Sequence, residues 1–249
     1  MVDWAFGGSR RTFLRLCGAT GVVLVGAVRA GPLVAQASAS SAIKIGVVGS
    51  GKLGGAVGAR WVKAGHEVFF SSRHPEALKG LVEALGPRAT AGSVKDAIAF
   101  ADVVLLAVPY AALPEIGRDN AAALAGKIVL DACNPIAARD GDIAKEAMAN
   151  GIGATSQKYL PGTRLVRVFN PVPYRSFDGE PARGGEPIGM PLAGDDPVAV
   201  KVASQLARDA GVEPVVVPLS RAMDFAPGTA LFAKALPVAE LKRQLGIAR

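Results

Sequence analysis

The residues Gly49-Ser50-Gly51-Lys52-Leu53-Gly54 set three glycines in the spacing G-x-G-x-x-G, directly after the apolar run Ile43 to Val48 and at the head of a helical pattern. Each glycine has its own task in such a turn. Gly49 permits the tight bend, Gly51 lets the backbone come close to a pyrophosphate, and Gly54 allows the helix to pack against the strand. The helix N-terminus then faces the anion, where unpaired N–H groups and the helix dipole stabilise negative charge. Gly58 repeats the small residue one turn later. The turn is expected to hold a dinucleotide, with Gly49, Ser50, Gly51, Lys52, Leu53 and Gly54 as its binding residues.

The end of the following strand selects the dinucleotide. An acidic residue about 20 positions on would bond the ribose 2′-hydroxyl of NAD, but the sequence there reads Ser71-Ser72-Arg73-His74. A hydroxyl beside a guanidinium suits a 2′-phosphate, to which arginine offers planar bidentate donors. NADP is therefore the expected cofactor, with Ser72 and Arg73 on its phosphate. His74 is either a helper at that phosphate or an exposed loop residue, and His66, opening a strand, is expected to be structural.

Further along, three apolar runs close as Val108-Pro109, Asn134-Pro135 and Asn170-Pro171. Proline removes a ladder donor, so pairing stops there, and in an open α/β sheet this carboxyl edge is where ligands sit. The three ends, Val108-Pro109, Asn134-Pro135 and Asn170-Pro171, are expected to floor one crevice for cofactor and substrate, with the amides of Asn134 and Asn170 available to bond a carboxamide, a ribose or a second substrate. No acid–base pair stands out: none of Tyr110, Tyr159 or Tyr174 has a lysine four residues on, and both histidines lie on the cofactor half. If the reaction were hydride transfer between two bound cofactors, the protein would need mainly orientation and little proton transfer, and the missing machinery would be accounted for. Cys133 is expected to be buried and inert.

The elements that must carry these residues alternate between strand-like and helix-like runs. The pattern predicts an α/β fold, a doubly wound and mainly parallel Rossmann sheet with a small C-terminal α/β extension. Strands are expected at 43–48, 68–70, 88–91, 102–108, 127–132, 165–169, 188–193 and 215–217. The continuous apolar runs among them read as strands buried on both faces. Helices are expected from Leu53 to Ala64, from Pro75 to Leu85, to Phe100 with Ser93 as its N-cap, from Pro197 to Ala210 with Asp195 or Asp196 as cap, and onward from Pro237. Residues 43–172 form the nucleotide-binding domain in this reading and 173–249 an extension packed on the same sheet, its tail helix a possible homodimer face.

The first 37 residues read as an address. Ser9-Arg10-Arg11-Thr12-Phe13-Leu14-Arg15 precedes an apolar stretch of 13 residues, Leu16 to Val28, which is too short to span a bilayer. Arg29, Gly31-Pro32 and the small-x-small site Ala35-Gln36-Ala37 follow, so the segment resembles a twin-arginine signal. Export through the twin-arginine machinery to the periplasm or the extracellular space is expected, with no stable membrane anchor. Removing it takes away four arginines and Asp3, leaving 24 basic and 20 acidic side chains. These are scattered without a Lys/Arg run, so no nucleic-acid partner is expected. The two cysteines and two histidines of the chain are too few for a zinc cluster, and with Cys17 in the leader no intrachain disulfide remains.

Taken together, Lys44-Ile45-Gly46-Val47-Val48 with the glycine turn, Ser72-Arg73, Asp131-Ala132-Cys133-Asn134-Pro135 and Val168-Phe169-Asn170 resemble the coenzyme F420-dependent NADP oxidoreductases. The resemblance implies NADP on the glycine turn and a deazaflavin stacked against the nicotinamide in the crevice. It implies Ser50, Gly51, Lys52 and Leu53 around the pyrophosphate, Ser72 and Arg73 on the 2′-phosphate, and Val108, Pro109 and Asn134 at the nicotinamide. The expected function is an exported oxidoreductase moving a hydride between NADP(H) and a small-molecule acceptor, F420 or a flavin. Two alternatives stay open: a non-catalytic NADP-binding or sensory module, and a metal or quinone reductase on the same scaffold. An export signal departs from the family pattern, because the usual members work where NADPH is made.

Overall fold

In the computed structural model, residues 42–178 and 186–247 are described, so the expected signal at 1–37 lies outside the described residues. Eight strands make one sheet: β1 (Lys44–Val48), β2 (Glu67–Ser71), β3 (Ala89–Gly92), β4 (Val103–Leu106), β5 (Ile128–Asp131), β6 (Arg164–Arg167), β7 (Gly189–Ala193) and β8 (Glu213–Val217). Their order is β3-β2-β1-β4-β5-β6-β7-β8. The first six run parallel, in the order of a dinucleotide-binding sheet. β7 pairs antiparallel to β6 through Arg167 and Ala193, and β8 runs parallel to β7, so the last two strands are reversed.

The apolar runs are continuous because both faces of the sheet are covered. Successive side chains of a strand point to opposite faces. In β4, Val103 and Leu105 enter one core with Trp61, Phe70 and Leu206, whereas Val104 and Leu106 enter the other with Ile98, Leu124 and Ile152. The helices supplying the first core are α1 (Lys52–Lys63), α2 (Lys79–Leu85) and α8, numbered in chain order and spanning Pro197–Asp209. The second core draws on α3 (Val94–Phe100), α4 (Leu113–Asp119), α5 (Ala121–Leu124), α6 (Ala137–Asn150) and α7 (Ile152–Tyr159). A last helix, α9, covers Val238–Gln244.

Side-chain hydrogen bonds tie the C-terminal part to the nucleotide half. Trp61 Nε1 in α1 donates to Leu206 O in α8 at 2.7 Å. His66 is buried and structural as expected: its Nδ1 accepts from Ile43 N at 3.2 Å and its Nε2 donates to Asp209 Oδ2 at 3.0 Å. Asp196 caps α8 by accepting from Val198 N and Ala199 N while Arg164 of β6 grips it with two bonds of 2.7 and 2.6 Å. Asp195, the other candidate cap, accepts from Leu219 N instead.

Three expectations change in detail. The central strands are shorter than the apolar runs, ending at Leu106, Asp131 and Arg167. After β5 the Asp131 carboxylate takes the Cys133 N–H that a ladder would have used, and after β6 Phe169 turns left-handed at φ 67°. The helix expected over 75–85 begins as a 3-10 turn at Pro75–Leu78 before α2. Finally, α4 to α7 fill the connections between β4, β5 and β6, for which no helix bounds had been expected.

Candidate functional site

At the end of β1 the turn residues divide their work as the spacing implied. Gly49 has φ 95°, and a Cβ on it would lie 2.5 Å from Ala107 O and 2.7 Å from Val108 Cγ1. Its N–H and that of Ser50 both donate to Ser71 O, at 3.2 and 3.0 Å, pinning the turn to the end of β2. At Gly54 a Cβ would stand 2.2 Å from Gly49 O, and at Gly58 2.4 Å from Phe70 Cε1, so both glycines serve the close approach of α1 to the sheet.

Gly51 is different. Its φ of −76° is open to any residue, and a Cβ there would meet nothing within 4 Å. The space above it is clear. No side chain caps α1 and its first turn holds no carboxylate, which leaves the N–H groups of the Lys52–Gly54 turn available to an anion. Ser50 Oγ is buried without a hydrogen-bond partner, and the Lys52 ammonium lies exposed, 5.4 Å from the Tyr174 ring centroid. Leu53 points back into the first core. This donor set, open on one side and free of negative charge, fits a pyrophosphate.

Ser72 and Arg73 follow β2 at the same edge. Ser72 Oγ accepts from His74 N at 3.1 Å, which leaves its hydroxyl proton to donate, and the Arg73 side chain is exposed. His74 is exposed as well, its Nδ1 3.4 Å from Glu76 Oε1.

The ends of β5 and β6 are joined. Asn134 Nδ2 donates to Asn170 O at 2.8 Å, and Asn170 Nδ2 approaches Cys133 O at 3.4 Å. Val108 packs toward the glycine turn, Pro109 is exposed, and Pro135 and Pro171 are buried. Beside Pro135 opens a cavity of about 320 Å³ lined by Ile136, Ala144, Met148 and Pro227 among others. The candidate residues therefore lie along one sheet edge formed by the carboxyl ends of β1, β2, β4, β5 and β6.

Beneath Asn134 and Asn170 lies a polar network that the residue patterns did not single out. Arg167 and Asp131, 1% and 0% exposed, form an ion pair between NH1 and Oδ2. Arg167 NH2 also donates to Cys133 O at 2.9 Å and NH1 to Ser156 Oγ at 3.2 Å, while Asp131 Oδ1 accepts from Cys133 N at 2.8 Å. Tyr110 closes the network, its hydroxyl 3.0 Å from Ser156 Oγ. Breaking such a buried pair costs about 3–5 kcal/mol, because it leaves a charge without compensation. Two opposite charges inside adjacent apolar strands were the available signal.

Neither neighbouring proton-bearing group is set for proton transfer at neutral pH. Burial, and secondarily the Asp131 carboxylate, push the Cys133 thiol well above its ordinary value. Burial likewise raises the Tyr110 phenol. At the start of α6 the Asp140 carboxyl is held below the usual carboxylate range: burial opposes ionisation, and Arg139 with the N–H groups of Ile136 and Ala111 outweighs it. Arg139 NH2 in turn donates to Asn134 O at 2.6 Å. Among the described residues no group of three or more His, Cys, Asp or Glu gathers as for a metal ion, and no helix is long and apolar enough to cross a membrane.

Residues 44–135 match the family model of NADP oxidoreductase, coenzyme F420-dependent. Metalloreductase STEAP3 of Rattus norvegicus is 28% identical over 179 residues, covering 69% of this chain; the chain spans about a third of that relative, 33% of its length. Among solved structures, the hypothetical protein SMa0349 of Sinorhizobium meliloti superposes with a TM-score of 0.66 at 27% identity, covering 79% of this chain and 96% of its own. A protein provisionally named an F420-dependent NADP-reductase, from Arthrobacter sp. FB24, gives 0.59 at 23% identity, covering 78% and 99%, and shares the fold. The matched segment holds the glycine turn, Ser72-Arg73 and Asn134-Pro135. Over residues 44–135 the chain is thus similar to the coenzyme F420-dependent NADP oxidoreductases.

Proposed function

We propose that the protein is an exported NADP-dependent oxidoreductase that moves a hydride between NADP(H) and a second planar redox ring, a deazaflavin such as coenzyme F420 or, failing that, a flavin. The observation that carries the reading is the clear space over Gly51, beside the unpartnered Ser50 Oγ, on the same sheet edge as the Asn134–Asn170 pair. NADPH supplies the hydride when bound. The amides of the turn and Lys52 hold the pyrophosphate, Ser72 and Arg73 the 2′-phosphate, and Val108, Pro109 and Asn134 orient the nicotinamide half. Asn170 and Pro171 shape the floor under the acceptor, whose apolar part has the cavity beside Pro135 at hand.

Reduction of the acceptor also needs one proton at a ring nitrogen. Water supplies it in this scheme, since the raised thiol of Cys133 and phenol of Tyr110 are buried below the floor. Orientation of two rings then does most of the work, and a misplacement of about 1 Å costs about a hundredfold in rate. Export rests on the pattern Ser9 to Arg15 and the site at Ala35 to Ala37. The alignment with a metalloreductase favours a second reading, in which the reduced ring passes its electrons on to a metal ion.

Steady-state oxidation of NADPH tests the proposal with F420, FMN and a panel of ketones, imines and hydroxy acids. Turnover is expected only with the ring acceptors, and Asn170→Leu should lower kcat far more than NADPH affinity. Robust reduction of a simple carbonyl overturns the scheme. Tight NADP binding without turnover on any acceptor favours a sensory module instead.

A further inference from the structure

We infer that the ligand edge received by Asn134 and Asn170 is a hydrogen-bond donor edge, an N–H of a carboxamide or of a ring lactam or imide, taken by the two side-chain oxygens; the inference rests on the oxidoreductase reading above. The orientation of both amides is fixed by their partners. Asn134 Nδ2 meets Asn170 O at 2.8 Å and Asn170 Nδ2 faces Cys133 O at 3.4 Å. Turning either amide over would set an oxygen against a carbonyl oxygen, two acceptors with no proton between them.

Of the two carbonyls that impose this orientation, Cys133 O is itself held: it takes Arg167 NH2 at 2.9 Å, and Cys133 N donates to Asp131 Oδ1 at 2.8 Å. The Asn134 main chain is held beside it, its O accepting from Arg139 NH2 at 2.6 Å. Arg167, itself 1% exposed and paired with Asp131, is thus a positioning residue for the Asn170 amide.

What remains on each amide is its oxygen. Asn134 Oδ1 and Asn170 Oδ1 are both buried and neither has a hydrogen-bond partner, although Asn170 is only 5% exposed. Buried polar atoms are normally satisfied, and two orphans of the same kind on joined strand ends of a ligand edge mark where a partner belongs. An acceptor can be satisfied only by a donor. A ketone, carboxylate or phosphate oxygen would be repelled here, whereas the NH2 of the nicotinamide carboxamide or the imide N–H of a flavin or deazaflavin ring would be bound. The two sources share this chemistry and differ in which ligand carries it.

The test measures binding to the full chain with matched analogues. In the first arm, calorimetry compares NADP with its 3-acetylpyridine analogue, in which a methyl group replaces the carboxamide NH2. In the second, the NADP-loaded protein is titrated with riboflavin and with 3-methylriboflavin, whose imide N–H is blocked. Loss of a donor to a buried acceptor predicts weaker binding by about tenfold or more in one arm, and that arm identifies the source. Asn134→Leu or Asn170→Leu should abolish the preference. Should the leucine variants fail to fold, the wild-type comparison decides alone. Equal binding of both members in both arms overturns the inference while leaving NADP binding intact; a chain that binds no NADP overturns the reading beneath it as well.

Discussion

A single methyl group added to the glycine turn separates binding from folding. At Gly51 the backbone has φ −76° and a Cβ would touch nothing within 4 Å, so alanine fits without strain. Alanine also narrows the unfolded ensemble, and Gly51→Ala should stabilise the chain by about 0.4–1 kcal/mol. For a chain of this size that raises Tm by about 1–4 °C. In the proposed site the same methyl would occupy the space through which the pyrophosphate approaches the turn. Loss of one hydrogen bond to a charged group costs about 1.5–3 kcal/mol, or about 10- to 150-fold in NADP affinity. Gly54→Ala should behave in the opposite sense. Its Cβ would stand 2.2 Å from Gly49 O, a backbone atom that cannot swing aside, and overpacking of this kind costs about 1–3 kcal/mol. Thermal melting and calorimetric titration of the two variants read both quantities. A Gly51→Ala chain that melts higher yet binds NADP as tightly as the wild type would refute the approach of the phosphate over that residue.

Arg73→Ala should weaken NADPH binding by about tenfold or more and barely change NADH, as a charge-assisted bond to the 2′-phosphate requires; equal losses would remove Arg73 from that role. Cys133 is buried, and burial and the Asp131 carboxylate both disfavour its thiolate in the folded chain. Ellman's reagent should therefore label it only after unfolding in guanidinium, and labelling in the native state at the rate of a free thiol counts against the buried network. Replacing Arg10 and Arg11 by lysine should hold the full-length protein in the cytoplasm, as followed by fractionation; continued export with cleavage near Ala37 would defeat the signal assignment.

Much of the site was legible because its residues act through properties of their own type. Gly49, Gly54 and Gly58 each carry out a backbone task that the missing Cβ alone makes possible, so the spacing already states the geometry. Asp196 was visible as a cap candidate for the same reason, since a short carboxylate before Pro197 has a local partner in the first turn. Arg167 and Asp131 were not legible in this way. Each looks like an interruption of an apolar run until β5 and β6 are paired and the two charges meet across the sheet. The left-handed turn at Phe169 is likewise set from outside, by Trp61 and Phe177 whose rings pack edge-on against it at 5.7 Å. Pro109, Pro135 and Pro171 marked where the edge lies, but not that the strands end two or more residues earlier.

The central claim, direct hydride passage between two rings oriented on one sheet edge, is tested most directly by following an isotope. NADPH carrying deuterium at the transferring position of C4 is incubated with the protein and F420 in ordinary water, and the reduced deazaflavin is analysed by mass spectrometry and proton NMR. The account predicts that the deuterium arrives at the ring carbon of the acceptor without dilution by solvent. Reduced F420 bearing solvent hydrogen at that carbon, or no reduction of F420 by a chain that binds NADPH tightly, would contradict it.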